Sequence, residues 1–270
     1  MSERVEEPRL SVLAIIGSPR KGGNTEIMVA EAIGGVKDVL DAEISQFHFK
    51  GKSIAACLAC SEYCKKHGVC HIKDDFAEFM DLWLGADVVI YGAPVYHMGV
   101  PAQVRAAIDR LSNVLFSFLG RQLPRFCKVG AAVVQGSSRY GGQETTIQWL
   151  IQHMLLLNCI PVAGDTPDSY IGAPGFAPTV ERGSIALDKV GLETARCTGR
   201  RVGEVAKAFY VGKAMLGDRL PYEYKAPRSA QDLHRYKKDL PPVAPGKGGD
   251  VLSEGASYFI GHRGEHGGGQ

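Results

Sequence analysis

The sequence predicts a doubly wound α/β fold, in which five parallel strands carry helices on both faces. Three observations predict it. A strand–loop–helix order repeats five times between residues 10 and 209. The strand candidates are short unbroken apolar runs, as strands buried on both faces require, rather than alternating ones. The loops leaving the first, third and fourth strands are rich in Gly, Pro, Ser and Asn, at the strand ends where an open parallel sheet gathers its ligand.

Residues 10–17, Leu-Ser-Val-Leu-Ala-Ile-Ile-Gly, form the first strand. Ser18 to Gly23 holds too much Pro and Gly for a helix, and Asn24 or Thr25 caps one that runs to about Val36. Residues 42–49 alternate weakly and give a second strand, followed by a cysteine-rich loop over 51–72. Asp74 or Asp75 opens an apolar-periodic helix that ends at Gly85. Residues 86–91 are the third strand. Pro101 then sits at a first helical position, with Val104, Ile108 and Leu111 at helical spacing behind it. A fourth strand covers 127–134, a helix starts near Gln143, a short fifth strand covers 159–163, and a last helix spans Gly183 to Phe209.

This pattern assigns residues 1–212 to one domain. The rest, 213–270, holds Pro221, Pro227, Pro241, Pro242 and Pro245 and Gly-rich runs at 246–249 and 267–269. Such a composition has no core of its own, so an extended arm is expected. Basic residues number 31 and acidic ones 29, a net charge of +2 with no basic stripe, which excludes a nucleic-acid binder working by bulk electrostatics. The most apolar long window, 147–163, is broken by Gln148, Gln152, His153 and Asn158, which argues against a membrane span. The acidic N-terminus lacks the apolar region of a signal peptide, so a cytoplasmic location is expected.

The first loop has the make-up of an anion site. It joins a strand to a helix, its small residues let backbone N–H groups converge, and Ser18, Asn24, Thr25 and Arg20 add donors and charge. It is neither a Walker loop nor Gly-x-Gly-x-x-Gly, so a terminal monophosphate suits it better than a dinucleotide. The second loop, Pro94-Val95-Tyr96-His97-Met98-Gly99, offers Tyr96 and Met98 to a flat ring and His97 as a hydrogen-bonding group. The third runs from Gly136 through Ser137, Ser138, Tyr140, Gly141 and Gly142. Three such loops at three strand ends describe one site.

Seven cysteines divide unevenly: Cys57, Cys60, Cys64 and Cys70 lie within 14 residues, while Cys127, Cys159 and Cys197 are scattered and read as small buried hydrophobes. The spacing Cys-x2-Cys-x3-Cys-x5-Cys can wrap one [4Fe–4S] cluster. It suits a zinc ribbon less well, because that brings two separated Cys-x-x-Cys pairs together. Unligated thiols remain the other reading. His67 and His71 flank Cys70 but are more simply solvated, and His262 and His266 sit in a Gly-rich end that suggests no metal site. Trp83 and Trp149 fall in helical apolar stripes and read as core.

Gly17-Ser18-Pro19-Arg20-Lys21-Gly22-Gly23-Asn24-Thr25 resembles the FMN-phosphate loop of the flavodoxin-like NADPH-dependent FMN reductase family. Ala86-Asp87-Val88-Val89-Ile90, Pro94-Val95-Tyr96 and Ile108-Asp109-Arg110 are similar to its isoalloxazine loop and following helix, and Gly141-Gly142-Gln143-Glu144 to its third loop. The cysteine segment before Asp74-Asp75 resembles the iron–sulfur flavoprotein branch, with one departure: that branch typically has two residues, not three, between its second and third cysteines. The resemblance covers about residues 10–210. It implies a flavodoxin-like five-stranded parallel sheet in the order 2-1-3-4-5, with cluster and flavin at one edge of the sheet. It implies FMN phosphate on Ser18, Arg20, Asn24 and Thr25, and the ring between Pro94–Gly99 and Ser137–Gly142. It further implies an Asp109–Arg110 ion pair, a homodimer or homotetramer, and NAD(P)H or a one-electron carrier as partner. The expected activity is an FMN-dependent oxidoreductase that couples two-electron flavin chemistry to one-electron transfer. A cluster-free NAD(P)H-dependent reductase of FMN or quinones, and a flavin-based redox sensor, are the alternatives.

Overall fold

The structure is a computed structural model and describes residues 9–164 and 170–240. The strands are β1 (Leu10–Ile16), β2 (Ala42–His48), β3 (Val88–Pro94), β4 (Val129–Gly136), β5 (Ile160–Pro161) and β6 (Ala173–Phe176). The α-helices are α1 (Asn24–Lys37), α2 (Ser61–His67), α3 (Phe76–Gly85), α4 (Ala102–Leu119), α5 (Gln143–Leu156), α6 (Lys189–Leu216) and α7 (Ala230–Lys238). Strand order is β2-β1-β3-β4-β5 and every pairing is parallel. This is the flavodoxin-like order that the family resemblance implies.

Alternation along the strands divides the core. Leu10, Val12, Ala14 and Ile16 of β1, with Val88 and Ile90 of β3, meet α1 and α6 on one face. The other face takes α3 and α5, joined across β3 by a buried polar chain. Trp83 Nε1 donates to Tyr91 Oη at 2.7 Å, and that hydroxyl lies 2.9 Å from His153 Nε2. Burial pushes the imidazole down to about 3, so it is neutral. Helices α1 and α6 touch backbone to backbone. A Cβ at Gly35 would lie 1.9 Å from the Arg196 carbonyl oxygen, and one at Gly199 1.9 Å from that of Ala32.

Four elements differ from the sequence reading. The fifth strand is split: β5 pairs with the first residues of β4, and β6 with its last four. A two-residue apolar run cannot reveal a partner that returns a dozen residues later. The cysteine segment is not all loop, since α2 lies within it. The last helix begins at Lys189, where Asp188 accepts from Gly191 N as a cap, and continues to Leu216. Residues 217–238 pack onto the domain rather than extend from it, and lie within the same compact unit. Leu233 and Tyr236 are buried, and Tyr236 stacks on Tyr222 at 5.1 Å. The Arg228 guanidinium binds both carboxylate oxygens of Asp87, Ser11 Oγ and the Gly85 carbonyl. Pro241, Pro242, Pro245, His262, His266 and the Gly-rich runs lie outside the described residues.

Candidate functional site

The carboxyl ends of β1, β3 and β4 open into one cavity of about 230 Å³. It is lined by Ser18, Arg20, Gly23 and Asn24 from the first loop, Pro94, Val95 and Tyr96 from the second, and Gln135, Gly136 and Ser137 from the third. Thr179 and Val180, between β6 and α6, complete the wall. The helix end facing this space is open. Gly23 caps α1 without a side-chain hydrogen bond, so first-turn N–H groups are unspent and the dipole favours an anion. Ser18 Oγ accepts from Arg20 N at 3.1 Å and shapes the turn.

Not every predicted donor is free. The Arg20 guanidinium donates to the Val180 carbonyl. Asn24 is spent on the chain itself: Nδ2 donates to Glu181 O and Ser184 Oγ, each at 3.1 Å, and Oδ1 accepts from Ile185 N. Thr25 is buried behind the cavity, where its Oγ1 accepts from Gln135 Nε2 at 3.3 Å.

The second loop is a tight turn under strain. Tyr96 and Gly99 exchange both backbone hydrogen bonds, at 2.8 and 3.0 Å. Between them His97 and Met98 both hold positive φ, 49° and 63°. Two non-glycine residues in that region cost about 1 kcal/mol or more each, and such outliers gather at ligand sites. Met98 meets the third loop, where a Cβ on Gly142 would come within 2.8 Å of its sulfur. Ser138, Tyr140 and Gly141 stand further round the rim, and Tyr140 is 96% exposed. Gln143 staples that loop: Oε1 accepts from Gly141 N at 3.0 Å, and Nε2 donates to Ser138 O at 2.6 Å and Gly175 O at 3.3 Å.

The cysteine segment leaves β2 and follows α4. All seven cysteines are thiols. Burial, then the neighbouring Cys70, Cys60 and Cys57, push the Cys64 thiol up. His71 Nδ1 lies 3.2 Å from Cys60 Sγ, and Asn113 Nδ2 lies 3.5 Å from Cys57 Sγ. No group of three His, Cys, Asp or Glu side chains among the described residues is arranged for a single metal ion. A cubane spreads its ligands more widely, and the donor set, four thiols with no carboxylate among them, fits such a cluster.

Arg110 anchors this segment. Its side chain is fully buried, donating to Asp74 Oδ2 at 2.6 Å and to the Ala55 and Ile72 carbonyls at 3.3 Å. The Asp109–Arg110 pair implied by resemblance is therefore absent. Consecutive helical residues point about 100° apart, and Asp109 pairs instead with Arg105 one turn back, at 3.1 Å. Arg110, Asn113 and Phe118 step along α4, so the segment runs roughly 12–24 Å from that helix's start by its rise per residue. The segment leaves β2, which lies beside β1, whose carboxyl end opens into the cavity. Helix α7 closes its far side: His234 Nε2 lies 2.9 Å from the His67 carbonyl oxygen, and Ala230 shares a cavity with Cys70.

Residues 10–167 match the family model for NADPH-dependent FMN reductase. An iron–sulfur flavoprotein of Methanocaldococcus jannaschii is 37% identical over 198 residues, which are 73% of this chain and 98% of the relative. The chain belongs to the NADPH-dependent FMN reductase family, on its iron–sulfur flavoprotein branch. Another flavoprotein of that branch, from Methanosarcina thermophila, is 35% identical over 73% of this chain and 95% of its own length. An NAD(P)H dehydrogenase (quinone) of Methanosarcina mazei is 32% identical over 48% of this chain and 64% of its own. Among solved structures, a flavone reductase (TM-score 0.56, 19% identity) covers 74% of this chain and 64% of itself. RosB with bound 8-demethyl-8-formylriboflavin-5'-phosphate (TM-score 0.56, 13% identity) covers 97% and 98%. These two share the fold.

As a member of the FMN reductase family the protein is an FMN-dependent oxidoreductase. Gln135, Gln143, Thr179 and Val180 are the site-shaping residues that sequence reasoning missed, and Arg110 was expected to pair with Asp109 rather than Asp74. Gln143 had a signal, since it stands in the quoted third-loop motif. Thr179 and Val180 had none, because a segment that offers backbone carbonyls has no side-chain signature. Cys127, Cys159, Cys197 and Trp83 are buried as expected, whereas Trp149 is half-buried under the Arg105 guanidinium, 4.6 Å from its ring centre.

Proposed function

We propose that this oxidoreductase holds FMN in the three-loop cavity and a [4Fe–4S] cluster on Cys57, Cys60, Cys64 and Cys70, coupling two-electron chemistry to one-electron transfer. The observation that carries the reading is the joint presence of an open, uncapped helix end beneath a three-loop cavity and a four-thiol segment tied to α4. When bound, FMN supplies hydride acceptance with single-electron release, and a cluster supplies one-electron carriage. The chain does the rest. Unspent α1 N–H groups, Ser18 and the Arg20 charge bind the phosphate. The Tyr96–Gly99 turn and the Ser137–Gly142 loop hold the ring between them, with Met98 seated on Gly142 keeping the two walls in register. His97 and Tyr96 are the candidates for contact with a substrate. Hydride transfer needs no general base, and none is required of the cavity's described lining.

The electron donor or acceptor is NAD(P)H, another small molecule or a redox protein. A homodimer or homotetramer in the cytoplasm is the working assembly, supported by exposed Leu155, Leu156 and Phe116. Among the described residues no helix is long and apolar enough to cross a membrane. A cluster-free NAD(P)H:quinone reductase is the second reading, favoured by the Methanosarcina mazei relative. The visible spectrum of anaerobically purified protein tests the choice. The proposal expects broad absorption near 400 nm beneath the flavin bands, bleached by dithionite; flavin bands alone favour the quinone reductase.

A further inference from the structure

Among the described residues, Arg110 is the cation whose contacts bracket the whole cysteine segment. It grips Ala55, two residues before the first cysteine, and Ile72, two residues after the last. Its ion pair with Asp74 at 2.6 Å fixes the segment's exit, and its guanidinium stacks over Phe76 at 4.2 Å. Cys70 is near enough to act on the same group electrostatically. Asp74 serves the same frame from the other side, accepting from Ala55 N at 2.9 Å and Phe76 N at 3.2 Å. Nε of Arg110 is buried with no hydrogen-bond partner. A buried guanidinium with an unspent N–H is costly to keep for packing alone, since apolar side chains fill such space as well. Beside four thiolates the charge has a use: reduction adds negative charge, and a fixed cation favours it.

Resting on the cluster reading above, we propose that Arg110 is the positioning and charge-setting residue of the cysteine site. It clamps both ends of the segment to α4 and raises the reduction potential of the group the cysteines hold. Asp74 anchors the clamp and opposes its charge. The two residues should therefore act on the potential in opposite directions, which a purely structural pair would not do.

The test is potentiometry with mediators on the full-length holoprotein, reading cluster and flavin separately by electron paramagnetic resonance and visible absorption, with iron assayed per flavin. Arg110→Gln leaves Asp74 unopposed, and a tenfold or larger shift toward the oxidised cluster at fixed potential is expected, about 59 mV for one electron. Asp74→Asn leaves Arg110 unopposed and shifts the balance the other way. Arg110→Lys keeps the charge but not the fork, so it loses iron while its remaining cluster stays near the wild-type potential. All three variants keep wild-type FMN content. If Arg110→Gln holds no iron, the clamp is supported and the charge effect is read from Arg110→Lys against Asp74→Asn. Full iron and unchanged potentials in the variants, or shifts of the same sign for Arg110→Gln and Asp74→Asn, overturn the proposal alone. Wild-type protein without iron overturns the cluster reading and this inference with it.

Discussion

Single residues decide how the cavity would hold the proposed phosphate. Arg20 is exposed and, among the described residues, its guanidinium is committed to a backbone carbonyl, so it can turn to a phosphate at little cost. Arg20→Ala should weaken FMN binding by about 1.5–3 kcal/mol, a tenfold to hundredfold rise in Kd by fluorescence quenching, the usual worth of a charge-assisted bond. At the opposite end of the sheet Lys128 is a buried cation, donating to the Leu84 carbonyl at 2.9 Å and to that of Ala86. Burial lowers it to about 7, far below the ordinary lysine value. The unfolded chain therefore binds this proton more tightly than the native one. By linkage, its contribution makes stability rise between about pH 7 and pH 10 and stay flat below 7. Urea unfolding at pH 7 and pH 9.5 should show this rise in wild type and its loss in Lys128→Met.

Elements follow the sequence where burial writes a local pattern and depart from it where packing is distant. Strands β1, β3 and β4 are legible because double burial demands unbroken apolar runs. The start of α4 is legible because Pro101 fits only outside or at the head of a helix. Helix α2 is hidden because its seven residues, Ser61–His67, bury only Cys64 and show no apolar face. The split fifth strand and the role of Gly35 and Gly199 are hidden for a different reason: each depends on a partner far away in the chain. Gly35→Ala and Gly199→Ala should separate α1 from α6 and cost about 1–3 kcal/mol each, read as a lower urea midpoint. An unchanged midpoint would mean that the helices can part freely. Much of the cavity was readable as motif, since Ser18, Arg20, Asn24, Pro94, Val95, Tyr96 and Ser137 do come together. What could not be read is how Asn24 and Arg20 use their side chains, because Val180 and Glu181 lie some 160 residues on.

At the scale of the whole molecule, the chain beyond α6 returns and locks onto the start of β3. Burial alone would raise the Asp87 carboxyl, but Arg228 and Ser11 outweigh it and hold it below its usual value. That contribution is present above about pH 4 and is lost as acid protonates Asp87. Arg228→Ala should cost about 1–3 kcal/mol at pH 7, discounted for the half-exposed guanidinium, and the difference from wild type should shrink on acidification. The same return places α7 against the cysteine segment, through His234 and Ala230. The iron–sulfur flavoprotein relatives are spanned almost whole by about three quarters of this chain. Three-loop cavity, thiol segment and covering helix are thus parts of one unit, and the proposed function turns on what the four cysteines hold. Iron, acid-labile sulfide and flavin, measured per chain in anaerobically prepared wild type and in Cys60→Ser, test that most directly. The account predicts about four iron and four sulfide with one FMN in wild type, and loss of iron with FMN retained in the variant. Wild-type protein carrying FMN without iron or sulfide, or a variant keeping its full iron, would contradict it.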